Sequence, residues 1–290
     1  EMYRLLQQYR VRIDASDMVQ LEDLRKAQGT YADGSEMAEI FIGENLPDMQ
    51  KRLDMQIAKL NENLDSMMSK LNDGIYVSPA SDPLEVIQHL SVEKFELEKQ
   101  KRQVETFQNY QKLFDMSVNK FDKLKVASEL FELKDTLWKT YDEWNDKHLQ
   151  WMTEDFRSIN IDDLKKDMDL LVKRAYLADK KIGDGVTQKL RDTLAEFNVD
   201  MPVFMDLGNP VMKDRHWEKL FGAIGQNFFP QMTFSLEQLL GWNIMSKKDE
   251  VGDASATASG EHLLEEAIEK IKSGWDSTNF TLLPYRDSKD

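Results

Sequence analysis

Apolar residues recur along this chain at intervals of three and four, the spacing of helices that bury one face. The strictest run is Leu53, Ile57, Leu60, Leu64, Met67 and Leu71, with steps of 4-3-4-3-4, which is a heptad seam. It serves either a short coiled coil or one helix of a bundle. Upstream, Leu5, Leu6, Tyr9, Ile13, Val19, Leu21 and Leu24 form a looser stripe that predicts a helix over residues 2–28. Gly29-Thr-Tyr-Ala-Asp-Gly34 reads as its end, and a second helix is expected from about residue 35, disturbed near Gly43 and Pro47.

Turn chemistry at Asp73-Gly74 and over residues 78–83 closes that unit. The next helix starts with Ser81 or Asp82 as cap, Pro83 in the first turn and Glu85 near the helix start, and runs past Phe114. After a break at residues 116–119, an aromatic helix is predicted over 120–156. Its stripe of Leu130, Leu133, Leu137, Tyr141, Trp144, His148 and Trp151 places the large rings on one face. That stripe is either a core seam or an aromatic ligand box, and the core seam is the commoner use of such spacing. His148 reads as a core histidine, because no second His or carboxylate accompanies it at metal-ligand spacing.

Residues 158–163 predict a turn and cap, followed by helices over 161–182 and 186–198, with Gly183-Asp-Gly185 as the turn between them. Residues 199–204 read as extended. Gly208 and Pro210 interrupt the helical pattern, which resumes over 212–222, and Ser235 caps a short helix over 236–242. The small polar run at 249–260 reads as a flexible loop or linker. An amphipathic helix is expected over 261–272, and Asn279-Phe-Thr-Leu-Leu283 has strand composition. The fold class that follows is all-α: an elongated array of long-helix bundles with short connecting helices and a single strand near the C-terminus. The expected parts are an N-terminal helical pair (1–78), a long-helix bundle (79–200), a junction with short helices (201–248), the flexible loop (249–260) and a final segment (261–290).

Composition narrows the function. Of the 290 residues, 38 are Lys or Arg and 53 are Asp or Glu, for a net charge of −15. No basic stripe is present, which argues against nucleic acid and against direct docking on other acidic surfaces. No run approaches the roughly 18 apolar residues of a membrane span. The absence of cysteine removes disulfides, thiolate catalysis and cysteine-based zinc sites. A soluble intracellular protein is the expectation, and its ends read as those of a segment cut from something longer.

Catalytic patterns fail one by one. His89, His148, His216 and His262 are scattered, and no zinc-peptidase, nucleophile-elbow or phosphate-loop motif occurs. Asp162, Asp163, Asp167 and Asp169 lack calcium-loop spacing. His262, Glu265 and Glu266 could share a helix face, a coincidence that acidic helices produce often. No catalytic, cofactor-binding or metal-ligating residue is assigned. The least generic stretch is Met205-Asp-Leu-Gly-Asn-Pro-Val-Met-Lys-Asp-Arg-His-Trp-Glu-Lys-Leu220. The plain reading is a helix boundary, with Trp217 buried, Arg215 paired with a nearby acid and His216 incidental.

Asn209-Pro-Val-Met-Lys-Asp-Arg-His-Trp217 resembles the Asn-Pro-x-Met-x-x-Arg-His-Trp signature of dynein heavy chains, where the tail joins the linker. The resemblance extends to the Trp-bearing helix from Trp138 to Trp151, to Phe234-Ser-Leu-Glu-Gln-Leu-Leu240, and to 261–285 with Trp275, Phe280 and Pro284-Tyr285. It is carried by residues 84–285, and Asn209-Pro210 looks more axonemal than cytoplasmic. The resemblance implies a non-catalytic mechanical segment of a microtubule motor, with ATP and Mg in a motor domain outside this chain and no cofactor here. Asn209, Pro210, Arg215, His216 and Trp217 would form a structural junction. Leu137, Tyr141, Trp144, His148 and Trp151 would form the aromatic core stripe. Implied partners are the AAA+ ring and tail of the same heavy chain and other heavy, intermediate or light chains of a dynein complex. No nucleic acid, membrane or direct microtubule contact is expected, and the implied location is the cytoskeleton of a cilium or flagellum. The competing expectations are a spectrin-like scaffold module with no motor attached and a helical-bundle metal or cofactor enzyme.

Overall fold

A computed structural model of the chain describes residues 2–279. Among the described residues ten α-helices run in the order α1 (Met2–Gln8), α2 (Ala15–Leu71), α3 (Pro83–Leu113), α4 (Asp122–Thr153), α5 (Ile161–Lys181), α6 (Gly185–Val199), α7 (Met201–Leu207), α8 (Asp214–Ala223), α9 (Leu236–Gly241) and α10 (Lys248–Asp276). Among the described residues there is no sheet, only an isolated antiparallel bridge between Asp155 and Ser235. The all-α expectation is met. The strand expected over 279–283 lies outside the described residues apart from Asn279.

The helices divide into two compact units. One comprises Glu1–Met68 with Lys94–Ser128, and the other comprises Ser69–Glu93 with Glu129–Asp290. In the first, the seam Leu53, Ile57, Leu60, Leu64 and Met67 of α2 is buried. On α3 the buried positions Leu97, Gln100, Val104, Phe107 and Gln111 repeat the three-four spacing. Gln56, Lys59, Leu60 and Asn63 of α2 share a groove with Gln103 and Phe107 of α3, so the two seams adjoin. The loop after α3 is closed by the Asn119 amide donating to Gln111 Oε1 at 3.0 Å, and Gln50 of α2 donates to the Phe114 carbonyl at 3.0 Å.

In the second unit, α4 contributes Leu137, Trp138, Tyr141, Trp144 and Trp151 to a core completed by α5 through α10. Local chemistry sets the ends of these helices. Asn160 Oδ1 accepts from the amides of Asp162 and Asp163 at the start of α5, and Asp184 Oδ1 does the same for Val186 and Thr187 at the start of α6. Gly183, with φ of +68°, stops α5 in the left-handed conformation that glycine tolerates.

Three expectations are corrected. Gly29-Thr-Tyr-Ala-Asp-Gly34 does not end a helix. Residues 15–71 form one continuous helix, because an interior glycine costs only about 1 kcal/mol relative to alanine and neither Gly29 nor Gly34 takes positive φ. Residues 199–204 are not extended, because Pro202 suits the first turn of α7. Residues 249–260 are not a loop: they lie wholly inside α10. Alanine is the best helix former, and the small side chains Ala254, Ser255 and Ala258 are buried. What reads as a linker is a helix face kept small for packing.

Candidate functional site

The Asn-Pro/Arg-His-Trp stretch joins α7 to α8, and both helices lie against α10. Gly208 ends α7 at a point of very close approach: a Cβ there would lie 1.8 Å from Ile161 Cγ1, so no side chain fits without displacing α5. Asn209 then turns the chain. Its Oδ1 accepts from the Val211 amide at 3.2 Å, a side-chain turn that leads into Pro210 and Val211. Its Nδ2 reaches across to α10, donating to the Ser255 carbonyl (3.1 Å), Ser255 Oγ (3.0 Å) and Ser259 Oγ (2.9 Å).

At the start of α8, His216 takes the place that Glu or Gln holds in a capping box. Its Nδ1 accepts from the Lys213 amide at 3.0 Å, and its Nε2 lies 2.9 Å from Glu261 Oε2. With Nδ1 accepting, the proton of the neutral ring sits on Nε2 and is donated to the carboxylate. Arg215 binds the same Glu261 oxygen through Nε at 3.0 Å and through Nη2. Lys213, which has no acceptor to offer its own helix, extends its ammonium to Glu265 Oε2 at 2.6 Å. Lys213, Arg215 and His216 on the α7–α8 side thus meet two carboxylates one helical turn apart on α10. These contacts hold the Glu261 and Glu265 carboxyls below the usual Glu range, through Arg215 first and then His216 for Glu261, and through Lys213 for Glu265. Together with Asn209, they grip α10 from Ser255 to Glu265.

Beneath this polar grip lies an aromatic nest. Trp217 is only 5% exposed and packs against Phe234 (centroids 5.1 Å apart), Phe156 (6.3 Å) and Phe221 (6.3 Å). Phe221 in turn meets Phe228, Phe234 and Trp242 at 5.1–5.5 Å. The segment after α4 holds the nest closed. The Phe156 amide donates to the Phe234 carbonyl at 2.8 Å. Arg157 donates to the carbonyls of Pro230 and Met232 while its guanidinium lies over the Phe228 and Phe234 rings.

The aromatic stripe of α4 forms a second, separate packing group. Leu137, Tyr141, Trp144 and Trp151 are buried and His148 is half-buried. Trp144, His148 and Trp151 all meet Phe197 of α6 within 5.9 Å, and Phe197 meets Phe204 of α7 at 5.3 Å. Burial among these rings pushes the His148 imidazole down from its ordinary value. The rings of the stripe therefore pack against α6 and α7, the helix pair that leads into the junction.

The plain reading of the junction needs two changes. Trp217 is buried as that reading has it, and Arg215 does pair with an acid, but the acid is Glu261, 46 residues away in sequence, rather than a near neighbour. His216 is not incidental, since it caps one helix and ties it to another. Sequence reasoning passed over Ser255, Ser259 and Glu261 on α10 and Phe156 and Arg157 in the nest, and it gave Glu265 and Phe234 no place at the junction. It also passed over Lys134, which is fully buried and donates to Asp184 Oδ2 at 2.6 Å and to the Tyr76 carbonyl at 3.2 Å. Trp138 Nε1 shares that carbonyl at 3.3 Å, so one buried cluster ties the turn at Gly74–Tyr76 to α4 and to the cap of α6.

Chemically the junction offers binding and register. The groove beside it is lined by Arg157, Asn160, Asp162, Asp206 and Asn209 among others, with no nucleophile and base held in contact. His262 pairs with Glu266 while Glu265 goes to Lys213, so the triple on that helix does not converge. Among the described residues no three His, Cys, Asp or Glu side chains group as metal ligands, and no helix is long and apolar enough to cross a membrane.

Residues 124–289 match the family described as dynein heavy chain, N-terminal region 2. Relatives include dynein axonemal heavy chain 6 of Homo sapiens, 24% identical over 294 residues that take in 100% of this chain and 7% of that protein. The dynein-1-beta heavy chain of the flagellar inner arm I1 complex of Chlamydomonas reinhardtii is 24% identical over 304 residues, covering 99% of this chain and 6% of its own length. Dynein axonemal heavy chain 1 of Mus musculus is 26% identical over 187 residues, 63% of this chain and 4% of that protein. The chain thus spans less than a tenth of the length of these relatives. With more than half of its residues matched to that N-terminal region, the chain belongs to the dynein heavy chain family.

Proposed function

We propose that this chain is a non-catalytic mechanical segment of an axonemal dynein heavy chain that joins the tail to the linker and passes force between them. The observation that carries this reading is the grip of Asn209, Lys213, Arg215 and His216 on α10. Such a grip fixes the direction of α10 against α7 and α8. A lever needs an element of fixed direction at its joint, and paired polar contacts over a packed aromatic nest supply one. The absence of a nucleophile–base pair at the junction and the net charge of −15 suit a segment that neither hydrolyses ATP nor touches the microtubule. On this reading ATP and Mg act in the motor domain. The partners are the ring and tail of the same chain with other heavy, intermediate or light chains, and the location is the axoneme of a cilium or flagellum.

The test uses the full-length heavy chain with Arg215→Glu. Microtubule-stimulated ATP turnover should stay near the parent value while gliding velocity falls, and the added Glu261→Arg change should restore velocity. Unchanged velocity in the single variant, or ATPase and velocity falling together without rescue, would count against the reading.

A further inference from the structure

A capping box ordinarily places Glu or Gln at the third position of the helix, because each offers the N-cap amide an acceptor that persists at neutral pH. In α8 that position is His216, an acceptor that a proton can remove. A backbone amide can only donate, so the 3.0 Å contact between the Lys213 amide and His216 Nδ1 requires Nδ1 to be bare. Nε2 then carries the proton and donates to Glu261 Oε2 at 2.9 Å. Together the two bonds demand the neutral ring in one tautomer. The charged ring has a proton on both nitrogens, and its Nδ1–H would meet the Lys213 N–H donor against donor. A second proton on His216 therefore removes the cap.

The surroundings confine that effect to one side of the ring. His216 is only 6% exposed, so water does not stand in for either partner. The charged groups around it are Glu261 and Glu265 from α10, Lys213 from the segment before α8, and Arg215 on α8 itself. Asp214, Glu218 and Lys219 lie on the exposed face of α8. With the ring neutral, Lys213 and Arg215 meet Glu261 and Glu265, two cations against two carboxylates; a charged ring adds a third cation. Nε2 is a donor in both forms, so the bond to Glu261 persists while the bond to the helix start is lost. Histidine is the side chain whose charge ordinarily changes nearest neutrality, whereas Gln at this position would not change at all.

We infer that His216 is a proton-operated latch: neutral, it caps α8 and ties it to α10, and protonated, it releases the first turn of α8 while keeping its hold on Glu261. The inference rests on the geometry of the cap and holds whether or not the chain transmits force.

The test is an NMR titration of the 290-residue chain from about pH 8 to about pH 5, above the carboxylate range, beside the His216→Gln variant. Imidazole nitrogen shifts report whether Nδ1 is bare, and amide exchange, corrected for its intrinsic pH dependence, reports the Lys213 hydrogen bond. As Nδ1 of His216 gains its proton, protection of the Lys213 amide should fall about tenfold, the worth of one such bond, while residues 251–261 keep theirs. His216→Gln restores an ordinary capping box and should hold its protection across the range. Far-UV circular dichroism checks the fold of the variant, and the parent titration decides by itself if the variant does not fold. A protonated His216 with the Lys213 amide still protected, an Nδ1 that stays bare down to the lowest pH, or the same loss in the Gln variant would overturn the inference.

Discussion

Trp217 and Lys134 show two ways in which one side chain governs a neighbourhood. Trp217 fills the nest formed by Phe156, Phe221 and Phe234. Its replacement by alanine removes a large buried ring and leaves a cavity that the surrounding rings cannot fully close. Trp217→Ala should therefore destabilise the protein by about 3–5 kcal/mol in denaturant melts, and a loss below about 1 kcal/mol would mean that the ring is not packed as described. Lys134 works through charge. Asp184→Ala would leave a fully buried ammonium with only the Tyr76 carbonyl, and would also remove the cap of α6. Breaking a buried pair from one side costs about 3–5 kcal/mol, so Asp184→Ala should approach Trp217→Ala in severity. Residue type and helical position left two uses open for Trp217, a buried anchor and an exposed docking ring, and the nest makes it the buried anchor. The role of Lys134 was not legible: a lysine on a charged amphipathic helix looks like every other until the helix that faces it is known.

At the scale of elements, the legible features were those with a period or a cap. The seam from Leu53 to Leu71, the Asp82 and Pro83 start of α3, the Asn160 cap of α5 and the Ser235 capping box of α9 all appear where the pattern puts them. The failures share a cause. Gly29 and Gly34, and the small residues of 249–260, were read as breakers, yet small residues serve turns and close helix packing equally well, and only tertiary context separates the two uses. The junction was recognised as a boundary, but its partners on α10 lie 45 to 52 residues downstream, beyond the reach of local pattern. Its electrostatics give a pH prediction. Glu261 and Glu265 have folded values below the ordinary Glu value of 4.5. Their contribution to holding α10 is therefore complete above that value and is lost as pH falls through the lower folded values. Thermal melts from pH 7 downwards should show flat stability from this source until the carboxylate range and then decline. Glu261→Gln should flatten the decline, and an unchanged profile in that variant would show that the pair is not formed.

For the whole molecule, membership in the dynein heavy chain family and the all-α architecture agree with what the resemblance around Asn209-Pro210 implied. The geometry adds a specific physical content to a junction known from sequence only as a signature: a polar grip on the first part of α10, laid over an aromatic nest. Within the second unit α10 is bound by Val251, Ala254, Ser255 and Ala258 and held in register by Glu261 and Glu265. Residues beyond Glu265, including Ile268 and Ile271, are exposed and draw nothing from these contacts. Hydrogen exchange across the 290-residue chain reads this directly. Amides of residues 251–261 should exchange slowly, in step with α7 and α8, and the triple variant Asn209→Ala, Glu261→Gln, Glu265→Gln should speed exchange in α10 while leaving α4 to α6 protected. Fast exchange of 251–261 in the parent protein, at the rate of an unstructured linker, would contradict the account.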